Sequence, residues 1–360
     1  MIENPQPTRR DDKRKSKPKS KLLIILISIA IIVAGTAYVG RSNLRLLLDG
    51  VTGSEYTSQG IGEVAFVVNR GDNGQSVAKN LVAEGITKEY PSTLRHIYAA
   101  NPTFFPGTYL IPKQISTDAA IRILIDPAKM VVNKVTVREG LRIGSVLTLL
   151  AKATEIDRAD LVAASKNLSS FDLPKRAPSL EGYLFPATYS FDPSLNAKDV
   201  LSAMVTRTKE QLVADGVAKK DWHKVLTFAS VIQMEARQPQ DFYKVSRVFK
   251  NRIAIGMHLQ SDATVSYGVN GSTVSTSNAD RNDANRYNTY RYPGLPIGPI
   301  SGAGATAIDA ALHPADGTWL FFCAVNLKTG ETVFSTTLAE HGKAVERWRQ
   351  WMIENPGWNG

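Results

Sequence analysis

One glutamate in this sequence sits where a carboxyl group could move a proton. In Val225-Leu226-Thr227-Phe228-Ala229-Ser230-Val231-Ile232-Gln233-Met234-Glu235-Ala236 the spacing of apolar residues predicts a helix. On a wheel of about 100° per residue, Glu235 falls about 20° from Phe228 and about 40° from Val231, so it emerges from the apolar side. Gln233 falls on a different face. A carboxylate with apolar neighbours loses hydration, so its pKa rises and it can still donate a proton near neutral pH, as a departing glycosidic oxygen requires. The alternative is a solvated glutamate near a helix end, four residues before Pro239.

Downstream, Leu259-Gln260-Ser261-Asp262-Ala263-Thr264-Val265 reads as an extended run. Residues two apart share a face in a strand, so Gln260, Asp262 and Thr264 would point together. A row of polar groups suits sugar hydroxyls and acetamido groups; it is equally an ordinary polar strand face. The other reactive residue types offer less. Cys323, the single cysteine, lies in the apolar run Trp319-Leu320-Phe321-Phe322-Cys323-Ala324-Val325, which predicts a buried strand and an inert thiol. The five histidines, His96, His223, His258, His313 and His341, lack metal-ligand spacing. The sequence contains no P-loop, GxSxG elbow or HExxH motif. Neither a metal nor a cofactor is expected.

The elements that must position these groups are a mixture of helices and short strands, an α+β class. Val64 to Val68 and Gly107 to Ile111 read as strands, with helices over Val77 to Glu84 and near Asp118 to Ile125. Val132 to Val137 then reads as strand, Glu139-Gly140 as turn and Ile143 to Ala153 as helix. Small strand-turn-helix units of this kind resemble the LysM module, which binds the glycan of peptidoglycan. Leu201 to Ala214, Lys224 to Ala236 and Phe242 to Ile253 carry helical periodicity, and Thr318 to Val325 and Thr332 to Ser335 read as paired strands around Lys328-Thr329-Gly330.

The net charge of +10 is unevenly distributed over the 360 residues. The first 21 residues hold eight Lys or Arg, between Arg9 and Lys21, against three acids, and the rest of the chain has only a mild basic excess. No basic stripe interleaved with aromatic residues appears, which argues against nucleic-acid binding. Leu22 to Val39, LLIILISIAIIVAGTAYV, is uncharged and long enough to cross a bilayer core. Basic flanks remain in the cytoplasm, so the chain beyond about Arg41 is expected outside it, at the cell membrane with a single span. A cleaved signal peptide is the competing reading, since Gly35-Thr36-Ala37 supplies small residues. The expected organisation is therefore a basic tail (1–21), a transmembrane helix (22–39), a linker (40–62), a LysM-like subdomain (63–130) and a catalytic domain (131–360).

Several blocks in one order carry a resemblance. Leu180-Glu181-Gly182-Tyr183-Leu184-Phe185-Pro186, the helix ending at Glu235, Asn251-Arg252, Gly256-Met257, Leu259-Gln260-Ser261-Asp262 with Thr264, Tyr287-Asn288-Thr289-Tyr290 with Gly294-Leu295-Pro296, and His313-Pro314 resemble the MltG (YceG-like) endolytic murein transglycosylases. The resemblance implies cleavage of the β-1,4 bond between N-acetylmuramic acid and N-acetylglucosamine in nascent strands, leaving a 1,6-anhydro end and limiting strand length. It implies that Glu235 is catalytic, matching the second glutamate of the family's Glu-x-Glu segment. Glu181, Tyr183, Gln260, Asp262, Asn288 and Tyr290 would bind sugars. Peptidoglycan strands are the implied substrate, and cell-wall synthases such as penicillin-binding proteins the implied partners.

Four departures from the family pattern stand out. Gln233 replaces the first glutamate, Ala187 an Asp, Ala263 a Pro, and Ser301-Gly302 an Asn-Pro pair. Two rival functions remain open at the level of sequence. One is a muramidase-type hydrolase using Glu235 and Asp262, since hydrolysis needs a second carboxylate. The other is a glycan-binding scaffold without catalysis.

Overall fold

A computed structural model describes residues 54–271 and 276–358. The expected basic tail and membrane span lie outside the described residues, and among those described no helix is long and apolar enough to cross a membrane. The chain divides into two compact units, meeting in sequence at Met130 and Val131.

The first unit pairs β1 (Ile61–Val68) with β2 (Gly107–Lys113) in an antiparallel ribbon. Between these strands run α1 (Gly74–Ala83) and α2 (Tyr90–Ala100), and α3 (Thr117–Leu124) follows β2. Asn73 caps α1 by accepting from the Gln75 and Ser76 amides, which satisfies donors that the first helical turn leaves free. No element is predicted at α2 from the sequence; the helix carries Pro91 in its first turn. Proline is tolerated in a first helical turn, where no N–H is needed. Phe66, Val77, Leu81, Ile97, Tyr109 and Ile121 form the core of this unit. Residues at the end of the expected linker belong to it as well: Ser54 bonds Glu89, and Glu55 accepts from the Thr117 amide.

The second unit is largely helical, with two small antiparallel ribbons. The first ribbon joins β3 (Asn133–Thr136) to β4 (Thr188–Phe191), and α4 (Ile143–Thr154) and α5 (Arg158–Lys166) lie between them in sequence. The following helices are α6 (Ala197–Ala214), α7 (Trp222–Glu235), α8 (Pro239–Ala254), α9 (Asp262–Gly268), α10 (Asn278–Asn282) and α11 (Ala305–Leu312). The second ribbon pairs β5 (Phe321–Asn326) with β6 (Glu331–Ser335), and α12 (Leu338–Glu354) closes the unit. The architecture is α+β. Leu226, Ala229, Val231 and Ile232 of α7 are fully or almost fully buried within one cluster with Val200, Met204, Phe249 and Ile308. The helix that ends in Glu235 therefore runs through the core.

One expected element changes type. The run from Leu259 to Val265 is not a strand: a loop ends at Ser261, and Asp262 begins α9. Gln260 adopts φ 53°, a left-handed conformation uncommon outside glycine, and its amide donates to the Thr289 carbonyl at 3.1 Å. Alternating polar residues in so short a run fit one helical turn as well as they fit a strand.

Candidate active site

Glu235 is the last residue of α7, and Ala236 turns extended with φ −79° and ψ 138°. Pro239 opens α8 only a few residues later; its ring disfavours helical geometry in the residue before it, so the two helices cannot merge. The chain thus releases Glu235 at the mouth of a cavity of about 840 Å³, lined also by Arg142, Met234, Arg237, Asp262 and Phe322. Glu235 is half-buried. Gln233 behaves as the wheel requires and faces elsewhere, its Oε1 accepting from the Gly304 amide at 2.9 Å. A second cavity of about 670 Å³, lined by Val225, Phe228, Ile253 and Leu312, does not include Glu235.

Ser261 Oγ donates to Glu235 Oε1 at 2.5 Å. Burial pushes the Glu235 carboxyl well above the usual range. The Ser261 hydrogen bond opposes this, the negative charge of Asp262 adds to it, and the Ala263 amide and Arg252 oppose it to a lesser degree. The carboxyl also lies at the negative end of the α7 dipole, which disfavours an anion there. These surroundings favour the protonated form of the carboxyl, and one hydroxyl holds its orientation.

Asp262, beside it, is heavily engaged. Its Oδ1 accepts from Tyr290 Oη at 2.9 Å, Thr276 Oγ1 at 2.6 Å and Arg281 Nε at 3.2 Å, while Arg281 Nη2 reaches Oδ2 at 3.2 Å. The Arg281 guanidinium also covers the Tyr290 ring, 5.0 Å from its centroid. Burial, and then the hydrogen bond to Asp262, push the Tyr290 phenol up to about 12.

Of the six residues expected to contact sugar, only Asp262 lines the cavity with Glu235. Gln260 is exposed at the bend before Ser261, and Tyr290 reaches the site through its bond to Asp262. The other three are interior. Asn288 is fully buried, and its amide donates to the Arg281 and Asp283 carbonyls at 3.0 and 2.8 Å, so it holds a loop and has nothing left for a ligand. Tyr183 is 1% exposed and bonds His223 Nδ1 at 3.0 Å. Glu181, 2% exposed, accepts from the Ile143 amide at the start of α4, and burial pushes its carboxyl up to about 7.

The spaced blocks of the sequence thus act as scaffold. Arg252 donates to the Leu320 and Leu259 carbonyls at 2.6 and 2.7 Å, fixing the loop that returns Ser261 to Glu235. Thr289 Oγ1 accepts from the Ser261 amide at 3.1 Å and meets Thr264 Oγ1 at 2.8 Å. Gly182 lies at φ +76°, where an added Cβ would fall 2.3 Å from Pro299 Cβ, so both conformation and space demand glycine between Glu181 and Tyr183. Cys323 is half-buried and lines the cavity, so it is not a core residue, and burial pushes its thiol up. Ser261, Arg142 and Arg281 are not singled out as site residues in the sequence: serine and arginine are common surface residues, and only the fold brings Ser261 to Glu235, Arg142 to the same cavity and Arg281 to Asp262. No cluster of three or more His, Cys, Asp or Glu able to hold a metal occurs among the described residues.

A protein named endolytic murein transglycosylase from Bacillus subtilis (strain 168) is 31% identical over 342 residues, 88% of this chain and 91% of that protein. One of the same name from Streptococcus pneumoniae serotype 2 (strain D39 / NCTC 7466) is 24% identical over 370 residues, covering 92% of this chain and 65% of the relative. A crystal structure of a YceG-like protein from Listeria monocytogenes superposes with a TM-score of 0.52 at 27% identity, over 78% of this chain and 98% of that one. The YceG-like family model matches residues 66–347, and this chain belongs to that family.

Proposed function

We propose that this protein is an endolytic lytic transglycosylase that cuts peptidoglycan glycan strands, with Glu235 as its catalytic acid and base. The observation that carries the reading is a desolvated carboxyl at the mouth of a groove, beside an Asp262 whose oxygens already accept from Tyr290, Thr276 and Arg281. Glu235 protonates the leaving glycosidic oxygen between N-acetylmuramic acid and N-acetylglucosamine. The resulting carboxylate takes the proton of the muramic acid C6 hydroxyl as that oxygen attacks C1, closing a 1,6-anhydro ring and regenerating the acid. The nucleophile belongs to the substrate, so the attack is intramolecular and gains from proximity. A retaining or inverting hydrolase needs a second free carboxylate. The engagement of Asp262 weighs against that rival.

The relatives named endolytic murein transglycosylase support this substrate and this reaction class. Nascent strands as the preferred substrate, with cell-wall synthases as neighbours, form part of the same reading. The order β1, α1, α2, β2 supports a LysM-like, glycan-holding role for 63–130. Leu22 to Val39 would anchor the chain in the membrane, with its basic N-terminus inside and the groove outside the cytoplasm.

The test is to incubate the full chain and Glu235→Gln with uncross-linked glycan strands and read product masses. Wild type is expected to yield anhydro ends, lighter by one water than hydrolytic ends, and the variant to lose at least about a hundredfold in rate. Fully hydrated reducing ends would refute the lytic reading; unchanged cleavage by Glu235→Gln would refute the assignment of the acid.

A further inference from the structure

Away from the groove that holds Glu235, we propose a second binding site: the cavity of about 670 Å³ beside α7, α8 and α11 takes an apolar chain that carries a phosphate, with Lys224 and Lys250 on the phosphate. This site is independent of the reaction assigned to Glu235.

The floor of the cavity is apolar. Val225 and Phe228 come from α7, Leu312 from the last turn of α11, and Leu295 from the loop that precedes α11. Its volume lies within the roughly 300 to 1,000 Å³ of small-molecule sites. At the end of α8, Ile253 carries the apolar surface outward and is 40% exposed. Apolar area left open to solvent in this way is what a hydrocarbon chain covers favourably. Phe228 lies about two helical turns before Glu235 on the same helix, so an occupant would leave the groove free.

Two cations stand at the edge of this floor. Lys250 is half-buried with its Nζ 6.0 Å from the centroid of the Phe228 ring, and Lys224 is exposed one turn before Phe228. Neither ammonium makes a hydrogen bond or an ion pair among the described residues. Burial disfavours the charged form of Lys250, and the positive charges of Arg247 and Lys224 add to that effect. Arg247 is itself engaged, by the Ala315 carbonyl and by Asp316 at 3.8 Å. A partly desolvated ammonium among like charges is costly, and an anion between Lys224 and Lys250 removes that cost. Asp221 also lines the cavity. It pairs with neither lysine, and it immediately precedes α7, whose positive end offsets its charge. The free oxygens of one phosphate can accept from both ammonium groups at once.

A phospholipid of the bilayer and a free amphiphile share this chemistry, and the test separates them. The full chain is placed in nanodiscs of phosphatidylcholine, and the reactivity of each lysine toward an amine reagent is read by mass spectrometry. Octyl phosphate is expected to protect Lys224 and Lys250 while exposed Lys198 reacts as before; inorganic phosphate and octyl glucoside, at the same concentration, are expected to protect neither. Lys250→Gln should weaken the protection of Lys224 by octyl phosphate on the order of tenfold, and Lys250→Arg should restore most of it. Protection in nanodiscs containing phosphatidylglycerol, with nothing added, would support the site and make the bilayer its source. No protection by octyl phosphate would overturn the proposal. Equal protection by inorganic phosphate would overturn it too, because the chain would then contribute nothing, and equal protection by octyl glucoside would do so because the charge would not be read.

Discussion

At the scale of the residue, Glu235 is tuned by two neighbours that act in opposite directions. Ser261 donates to its Oε1 and favours the carboxylate, whereas the charge of Asp262 disfavours it. The acid must be protonated when substrate arrives, so kcat/KM falls as pH rises through its elevated pKa. Ser261→Ala removes a stabiliser of the anion and should move that alkaline limb to higher pH, with kcat lower on the order of tenfold from lost orientation. Asp262→Asn removes a repelling charge and should move the limb to lower pH. Steady-state profiles of both variants check this, and a shift of both limbs in the same direction would count against Glu235 as the acid. The preference for Glu235 over Gln233 is legible in the sequence because helical periodicity alone separates their faces. The company that Glu235 keeps is not. Ser261 lies 26 positions away in the chain, and Asn288, which as a residue type suits a sugar, is consumed by backbone carbonyls.

At the scale of the element, the site is assembled by packing α4, α7 and α9 around short tethers. Glu181 caps the start of α4 through the Ile143 amide and also meets Tyr267 of α9, so one buried carboxyl ties two walls of the cavity. Its ordinary value of 4.5 is raised to about 7 on folding. The folded state therefore holds this proton more tightly than the unfolded chain does, and its stabilising contribution is complete below about 4.5 and lost as pH rises to about 7. The loss amounts to roughly 3 kcal/mol across that window. Glu181→Gln keeps an oxygen for the Ile143 amide and never ionises, so its unfolding free energy should fall less steeply over the same window. Urea titrations at several pH values measure the difference, and parallel curves for the two proteins would contradict it. Long helices such as α6, α7 and α8 are legible because their apolar period is sustained. The pairing of β3 with β4 is not, since the strands are short and Thr136 meets Thr188 across more than fifty intervening residues. Nor is α9, where a turn of helix and a polar strand share one pattern.

At the scale of the whole molecule, charge and hydropathy divide the chain more sharply than any motif. Eight basic residues crowd the first 21, and the uncharged run from Leu22 to Val39 follows at once. If that run spans a bilayer, as proposed, the basic tail would stay in the cytoplasm and everything after about Arg41 would lie on the far side, where wall glycan is found. A cleaved signal sequence would export the same units but leave them unanchored. The alternatives differ in two observables. If Leu22 to Val39 is an anchor, the chain isolated from cells keeps its N-terminus and stays with the membrane through alkaline carbonate washing. Protease added to intact spheroplasts then removes the part containing Glu235 and spares an epitope fused ahead of Arg9. Replacing Ile29 and Ile32 with lysine adds two charges to the middle of the run, each costing about 2.5 to 3.5 kcal/mol near the bilayer centre, and should abolish this protection pattern. A mature chain beginning after Ala37, free in the carbonate supernatant, would show instead that the segment is removed and that the enzyme meets its strands without a tether.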